Sequence, residues 1–350
     1  MQHPLARDLD HVLAHTADIW NALRGERVFI TGGTGFVGSW LLESFAWAND
    51  RLNLNAAAVL LTRDAEAFRT KAPYPANHPS VRFVQGNLQN FAFPKDECAF
   101  VIHAATDQIS PSREEPAGTL EREVSGTRRV LEFVRERGVK RLLFTSSGAV
   151  YGRQPSELTH IGEEYAGAPS PFEMNSAYGE AKRVSEFLCT AYSRQFGFAA
   201  VVARLFAFAG PYLPLDSNFA IGNFLRDVLA GGPVRIAGDG TAYRSYLYAA
   251  DLAIWLWTLL VRGESARPYN VGSADSISIL DLAKTMVETL SPGMPITIAR
   301  KPQPETPAAR YVPCVKRVKE ELGLRPLIPL PEQIRRMYEW NRARREMASG

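Results

Sequence analysis

A short apolar run, Arg27–Thr31, passes directly into Gly32-Gly33-Thr34-Gly35 and then into Phe36-Val37-Gly38 and a helical stretch over Gly38–Trp47. Glycines at 32, 35 and 38 permit a turn tight enough for the backbone to approach a pyrophosphate, whose charge then meets the N–H groups opening a helix. A glycine triplet alone also fits a purely structural turn. The strand before it and the helix after it decide for a dinucleotide site, which implies an α/β chain with a doubly wound parallel sheet. Gly32, Thr34, Gly35, Phe36, Val37 and Gly38 are then the first cofactor contacts.

The rest of the chain supports that architecture. Strand-like runs recur at Ala57–Thr62, Val81–Gln85, Phe100–His103, Arg141–Ser146 and Ala199–Phe206, with helical stretches between several of them. Such alternation predicts a Rossmann sheet with ligands at the carboxyl ends of its strands. Residues 5–23 carry Leu5, Leu9, Val12, Leu13, Ile19, Trp20 and Leu23 at near-helical spacing, which predicts an amphipathic helix packing within the chain or against a second subunit. After Gly210 the pattern grows irregular and richer in Pro and Gly, with helices again at Asn218–Ala230 and Asp251–Leu260. The expected division is an N-terminal helical extension (1–24), a dinucleotide-binding domain (25–210, with returns at about 245–290) and a smaller substrate-binding lobe (211–244 and 291–350).

Composition removes other classes. With 46% hydrophobic and 22% charged residues the 350-residue chain is ordinary globular material. A net charge of +3 with scattered basic residues leaves no footprint for nucleic acid. Cys98, Cys189 and Cys314 lie far apart without metal or redox spacing, so no metal site is expected and a reducing cytoplasm is. Neither a signal-like opening nor an uncharged apolar run of the roughly 20 residues a membrane span needs is present, so no membrane partner is expected.

The second strand ends in Thr62-Arg63-Asp64, where an acid for the adenosine ribose would normally stand. If Asp64 reaches the ribose the cofactor is NAD; if Arg63 meets a 2′-phosphate it is NADP. Asn87 and Leu88 are placed at the adenine edge, and Ala104, Ala105 and Thr106 beside the pyrophosphate, while His103 reads as a satisfied strand-end histidine.

Tyr178-Gly179-Glu180-Ala181-Lys182 opens a predicted helix, and its i, i+4 spacing sets phenol and ammonium on one face. A tyrosine titrates near about 10, so it serves as a base at neutral pH only if nearby positive charge stabilises the phenolate. Lys182 supplies such a charge and can also hold the nicotinamide ribose. Ser147 follows an apolar strand, so its hydroxyl emerges at the sheet's carboxyl edge, where a substrate oxygen would sit. An exposed Tyr and Lys on a helix surface is the plainer alternative, and the hydroxyl strand argues against it.

Together these segments resemble the extended short-chain dehydrogenase/reductase superfamily, in its NAD-dependent epimerase/dehydratase branch. The likeness continues through Arg204-Leu205-Phe206 with Gly210-Pro211, Arg244 to Tyr248 with Asp251, and Tyr269-Asn270-Val271-Gly272. It implies a tightly held cofactor that oxidises a sugar carbon, usually C4, and later returns the hydride. Tyr178 would be base and acid, Lys182 its tuner and Ser147 the oxygen's partner. The second lobe would hold a nucleotide diphosphate through Arg244 and Arg310, with Val234 and Ile236 as a wall for the base; Arg310 reads equally as an ion-pairing residue. The resemblance also implies a homodimer through helices that include the Tyr178 helix.

Some positions depart from the family. Ala207 replaces an Asn that Asn218 would compensate, and Glu123 replaces the Asn of an Asn-Val-x-Gly-Thr segment. Gly148 and Ala149 stand where dehydratases carry Asp-Glu, and decarboxylating relatives commonly keep the Glu. Small residues there leave room for a sugar to turn. The leading expectation is therefore a nucleoside-diphosphate-sugar epimerase; an NADPH-dependent 4-ketoreductase comes second, and dehydratase, decarboxylase and non-catalytic scaffold follow.

Overall fold

The computed structural model describes residues 3–106, 115–303, 305 and 307–349; the outer ends of the expected extension and lobe, residues 1–2 and 350, lie outside the described residues. Its central sheet contains β1 (Arg27–Thr31), β2 (Ala57–Thr62), β3 (Val81–Gln85), β4 (Phe100–His103), β5 (Arg141–Ser147) and β6 (Ala199–Leu205), joined at the far edge by β11 (Pro268–Val271). The order is β3-β2-β1-β4-β5-β6-β11, all parallel. Ile30 of β1 stands in register with Leu60 on one side and Ile102 on the other. The strand order reverses between β1 and β4, which opens a crevice at their carboxyl ends.

Side chains alternate across this sheet. Val28, Ile30, Ala58, Leu60 and Leu143 enter one apolar cluster, whereas Phe29, Val59, Leu61, Leu142 and Phe144 enter another. Both faces therefore need cover. Helices α5 (Pro116–Glu136) and α6 (Ala177–Phe196) cover one face; α2 (Phe36–Leu52) and α8 (Ala249–Arg262) cover the other. Two short helices, α3 (Ala65–Lys71) and α4 (Pro73–Ala76), connect β2 to β3.

Residues 249–260 of α8 are buried without a break, so α8 itself requires a further layer. That layer is the N-terminal segment, which is not one helix but α1 (Ala6–Thr16) followed by a 3₁₀ turn at Trp20–Leu23. The break lets Trp20 fold back: its indole N–H donates to Thr16 Oγ at 2.8 Å, and its ring lies 4.9 Å from Trp257 on α8. Fully buried Asp251 accepts from His11 at 3.0 Å and from the Leu327 and Ile328 N–H groups at 2.8 and 3.1 Å. The N-terminal segment is thus packed within its own chain.

Beyond the main sheet, β7 (Phe208–Ala209) pairs with β10 (Leu247–Tyr248), and β8 (Val234–Ile236) with β13 (Ile296–Ile298). A third small sheet sets β9 (Tyr243–Arg244) between β12 (Ile277–Ser278) and β14 (Arg310–Tyr311). Helices α7 (Ala220–Leu229), α9 (Ile279–Leu290) and α11 (Leu330–Ser349) enclose a third apolar cluster with Phe224, Met286 and Met337; α10 (Lys316–Leu322) lies against β11. Among the described residues, no helix is long and apolar enough to cross a membrane.

Candidate active site

The glycine turn is built by contact between backbones. Gly32 has φ +71°, and a Cβ on it would lie 2.4 Å from the Ala104–Ala105 peptide; one on Gly38 would lie 2.2 Å from Gly33 Cα. Gly35 caps α2, so helix geometry leaves the N–H groups of Phe36, Val37 and Gly38 without intrahelical acceptors. A turn this close, with donors at a positive helix end, fits a dinucleotide's pyrophosphate. The Phe36 ring lies against Phe208, and the Thr34 carbonyl accepts from Lys71 Nζ at 2.8 Å. Burial, then the charge of Arg344, lowers the Lys71 pKa.

A chain of hydrogen bonds fixes the strand ends beside this turn. Ala105 N–H donates to Thr31 Oγ at 3.3 Å; Thr31 Oγ lies 2.8 Å from His103 Nδ1. His103 Nε2 lies 3.1 Å from Thr127 Oγ, which donates to Ser185 Oγ at 3.1 Å. Read in that direction, Nε2 carries the proton and His103 is neutral. Burial, and secondarily the Lys182 charge, pushes its pKa down to about 3, so His103 joins β1, β4 and α5 rather than moving protons.

The residues expected at the adenosine end are spread along loops. The Thr62 hydroxyl donates to the Asp64 carbonyl at 3.1 Å, and the Asp64 carboxylate caps α3 by accepting from Ala67 N–H at 2.9 Å. Arg63 is exposed. Asn87 caps its own turn, accepting from the N–H groups of Gln89 and Asn90, and Leu88 packs onto Gly126 of α5. Thr106 donates to Glu123 Oε2 at 3.3 Å.

Ser147 ends β5 and caps a 3₁₀ turn, its Oγ accepting from Ala149 N–H at 3.1 Å. The start of α6 is pressed onto that turn, for a Cβ on Gly179 would lie 2.7 Å from the Ala149 carbonyl oxygen. This contact brings half-buried Tyr178 beside the Ser147 turn. One helical turn on, Lys182 Nζ lies 5.8 Å from the Tyr178 ring centroid, donates to the Thr145 carbonyl at 3.1 Å and meets Glu123 Oε1 at 2.5 Å. Next along α6, Glu186 accepts from Ser146 at 2.5 Å and grips Arg204 through both oxygens at 2.9 and 2.6 Å.

Two partners escape sequence reasoning. Tyr311 of β14 places its hydroxyl 3.4 Å from Ser147 Oγ and donates to the Leu205 carbonyl at 3.3 Å. It also explains Gly148, where a Cβ would come within 2.8 Å of both Tyr311 Oη and Phe206. Glu123 is the other, since nothing in the linear sequence pairs it with Lys182. Tyr311 lies in a two-residue strand, too short for any periodicity to orient it.

The expected diphosphate ligands diverge. β9 and β14 pair Tyr243 with Arg310 and Arg244 with Tyr311, and successive strand residues face opposite ways. Arg244 therefore shares the Tyr311 side, 6.0 Å from that ring, while Arg310 stacks on Tyr243 at 4.2 Å on the other. Val234 and Ile236 are buried in the third apolar cluster, so contact with a ligand would have to come through the main chain of β8. Asn218 sits on an exposed bend ahead of α7 rather than inside a helix.

Residues 28–272 match the NAD dependent epimerase/dehydratase family. The chain belongs to that family. UDP-glucuronic acid decarboxylase 6 of Arabidopsis thaliana is 28% identical over 314 residues, 89% of this chain and 88% of that protein. UDP-glucose 4-epimerase of Thermus thermophilus, in complex with NAD, superposes with a TM-score of 0.74 at 26% identity, covering 90% of this chain and 99% of that one. RMD from Pseudomonas aeruginosa, complexed with NADPH, gives a TM-score of 0.72 at 24% identity, covering 91% and 99%. As a member of the family this chain is an enzyme whose cofactor is a nicotinamide dinucleotide.

The buried imidazole gives a pH signature. The unfolded chain takes up this proton near pH 6.5 and the folded chain only near pH 3, so the stability is complete above pH 6.5 and is lost as pH falls toward 3. Thermal unfolding followed from neutral to acid pH is expected to show a shallower decline for His103→Gln than for the wild type. Parallel declines would show that His103 does not carry the effect.

Proposed function

We propose that this enzyme is a nucleoside-diphosphate-sugar epimerase that works through a 4-keto intermediate. The observation that carries the reading is the lining beside Ser147, where the hydroxyls of Ser147 and Tyr311, with Tyr178 on the adjoining helix, gather over Gly148 and Ala149. When bound, the nicotinamide dinucleotide supplies a hydride acceptor and donor. Tyr178 then takes the sugar hydroxyl's proton and later gives it back, Ser147 orients that oxygen, and Lys182 keeps a positive charge beside the phenol. Elimination of water would need a further acid and base, and neither Gly148 nor Ala149 carries a proton. Glu173, ahead of α6, is exposed. A uridine diphosphate sugar is the proposed substrate class, on the names of the decarboxylase and epimerase relatives. In this reading residues 25–210, with returns at about 245–290, carry the cofactor, and 211–244 with 291–350 bind substrate beside Arg244, with 1–24 as the N-terminal extension.

A second reading, an NADPH-dependent 4-ketoreductase, draws on the end of β2. Asp64 is engaged as the cap of α3, and the exposed Arg63 would then be the group to meet a 2′-phosphate. We also infer a homodimer through α5 and α6, because Leu120, Val184 and Phe187 stand exposed on these helices, Phe187 at 71%.

Three tests follow from these readings. Incubation with UDP-hexoses and UDP-glucuronate, analysed by mass and NMR, is expected to return a product of unchanged mass and altered configuration, and none from Tyr178→Phe. Loss of one water or of carbon dioxide would overturn the epimerase assignment. Arg63→Ala should raise the Michaelis constant for NADP about tenfold or more and leave that for NAD nearly unchanged, as one charge-assisted contact is worth roughly 1.5–3 kcal/mol. Equal effects would show that Arg63 points elsewhere. Phe187→Asp should halve the mass measured by light scattering, and a wild-type monomer would remove the dimer.

A further inference from the structure

Lys182 occupies a place that disfavours a charge. Its side chain is 1% exposed and that of Glu123 is 2% exposed, with Nζ and Oε1 2.5 Å apart. The Phe144 ring lies 4.8 Å from the ammonium. Enclosure of this kind drives a lysine toward its neutral form unless a counter-charge is in contact with it.

The groups facing Lys182 can be taken element by element. From β4 comes His103, held neutral by burial and by the nearby ammonium; from β5, the Thr145 carbonyl. Its own helix brings Tyr178 and Cys189, whose thiol burial keeps protonated, and Glu186, which is gripped by Arg204. From β14, Tyr311 faces Tyr178, and burial keeps its phenol protonated too. Among these, Glu123 of α5 alone sets a carboxylate against Nζ. Burial lowers the Lys182 pKa and Glu123, ahead of Tyr178, raises it, leaving the net above the ordinary lysine value. The Asn that the family resemblance leads one to expect at 123 would solvate the ammonium without offsetting its charge.

We propose that Glu123 is a positioning residue of the Tyr178–Lys182 dyad, an internal counter-ion that keeps Lys182 an ammonium ion and pins it at the Thr145 carbonyl. Its ammonium donates to the Thr145 carbonyl and lies in ion-pair contact with Glu123 Oε1, so both its position and its charge are fixed from within the chain. The proposal rests on reading these two residues as the working dyad, yet the protonation state can be measured without substrate.

The protein is prepared with ¹³C-labelled lysine and titrated by NMR as purified, the Lys182 ε-carbon signal being assigned by its loss in Lys182→Met. In the wild type this signal should titrate above those of the exposed Lys301 and Lys316. In Glu123→Gln its midpoint should fall by about two pH units, and in Glu123→Asp it should recover most of that fall. The alkaline limb of the turnover profile should move down with it, whereas a purely structural role would lower turnover alike at every pH. A Lys182 midpoint unmoved in Glu123→Gln would overturn the proposal. If Glu123→Gln does not fold, the wild-type comparison decides, since a Lys182 signal titrating below the exposed lysines would overturn it as well. A signal that responds to Glu123 in a protein inert toward every nucleotide sugar would support this inference while removing the functional reading.

Discussion

Less than the width of a methyl group separates the Gly32 turn from the end of β4. The 2.4 Å that a Cβ would leave there means that the loop and the Ala104–Ala105 peptide are already in contact as bare backbone. That approach sets the direction of α2, the depth of the crevice between β1 and β4, and the line of amide donors at the helix start. The hydrogen-bonded chain from Ala105 through His103 to Ser185 then transmits the same geometry to α5 and α6. The crevice between β1 and β4 and the start of α6 are thereby held by one set of contacts, most of them shielded from water.

A second network holds the far side of the cleft. Glu186 joins Ser146 on β5 to Arg204 on β6; Arg204 lies over the Tyr151 ring at 4.7 Å, and Tyr151 donates to Asn270 on β11 at 2.7 Å. Asn270 in turn donates to the Ile161 and Cys314 carbonyls. The segments Arg-Leu-Phe and Tyr-Asn-Val-Gly thus hold the sheet edge in place, and with it the end of β5 at Ser147. Charges buried this way must all be partnered, because one missing member leaves the others unpaired in a medium that solvates them poorly.

Much of this was legible in the linear chain, for definable reasons. β1, β2 and β4 end where the apolar runs end, since both sides of each strand are buried, whereas the edge strand β3 keeps Arg82 exposed in its middle. The Tyr178–Lys182 pairing followed from helix periodicity alone. What was not legible depends on distance along the chain or on register. Glu123 meets Lys182 across two helices, Tyr311 meets Ser147 across 164 residues, and the opposed directions of Arg244 and Arg310 come from a two-residue strand whose pairing no local pattern encodes. The single helix expected over 5–23 breaks after Thr16 because a tertiary contact, Trp20 on Trp257, outweighs continued helical turns.

The union of α1 with α8 has a consequence for the order in which the chain can be made. Asp8 accepts from Tyr248, and His11 donates to Asp251, across 240 residues in each case. During synthesis α1 precedes its partner helix by some 240 residues, so Leu9, Val12 and Trp20 are made before the surface that buries them, as are the glycine turn and most of the sheet. Until that clasp closes, the apolar face of α1 lacks the surface that covers it in the folded chain and stands open to contact with other molecules.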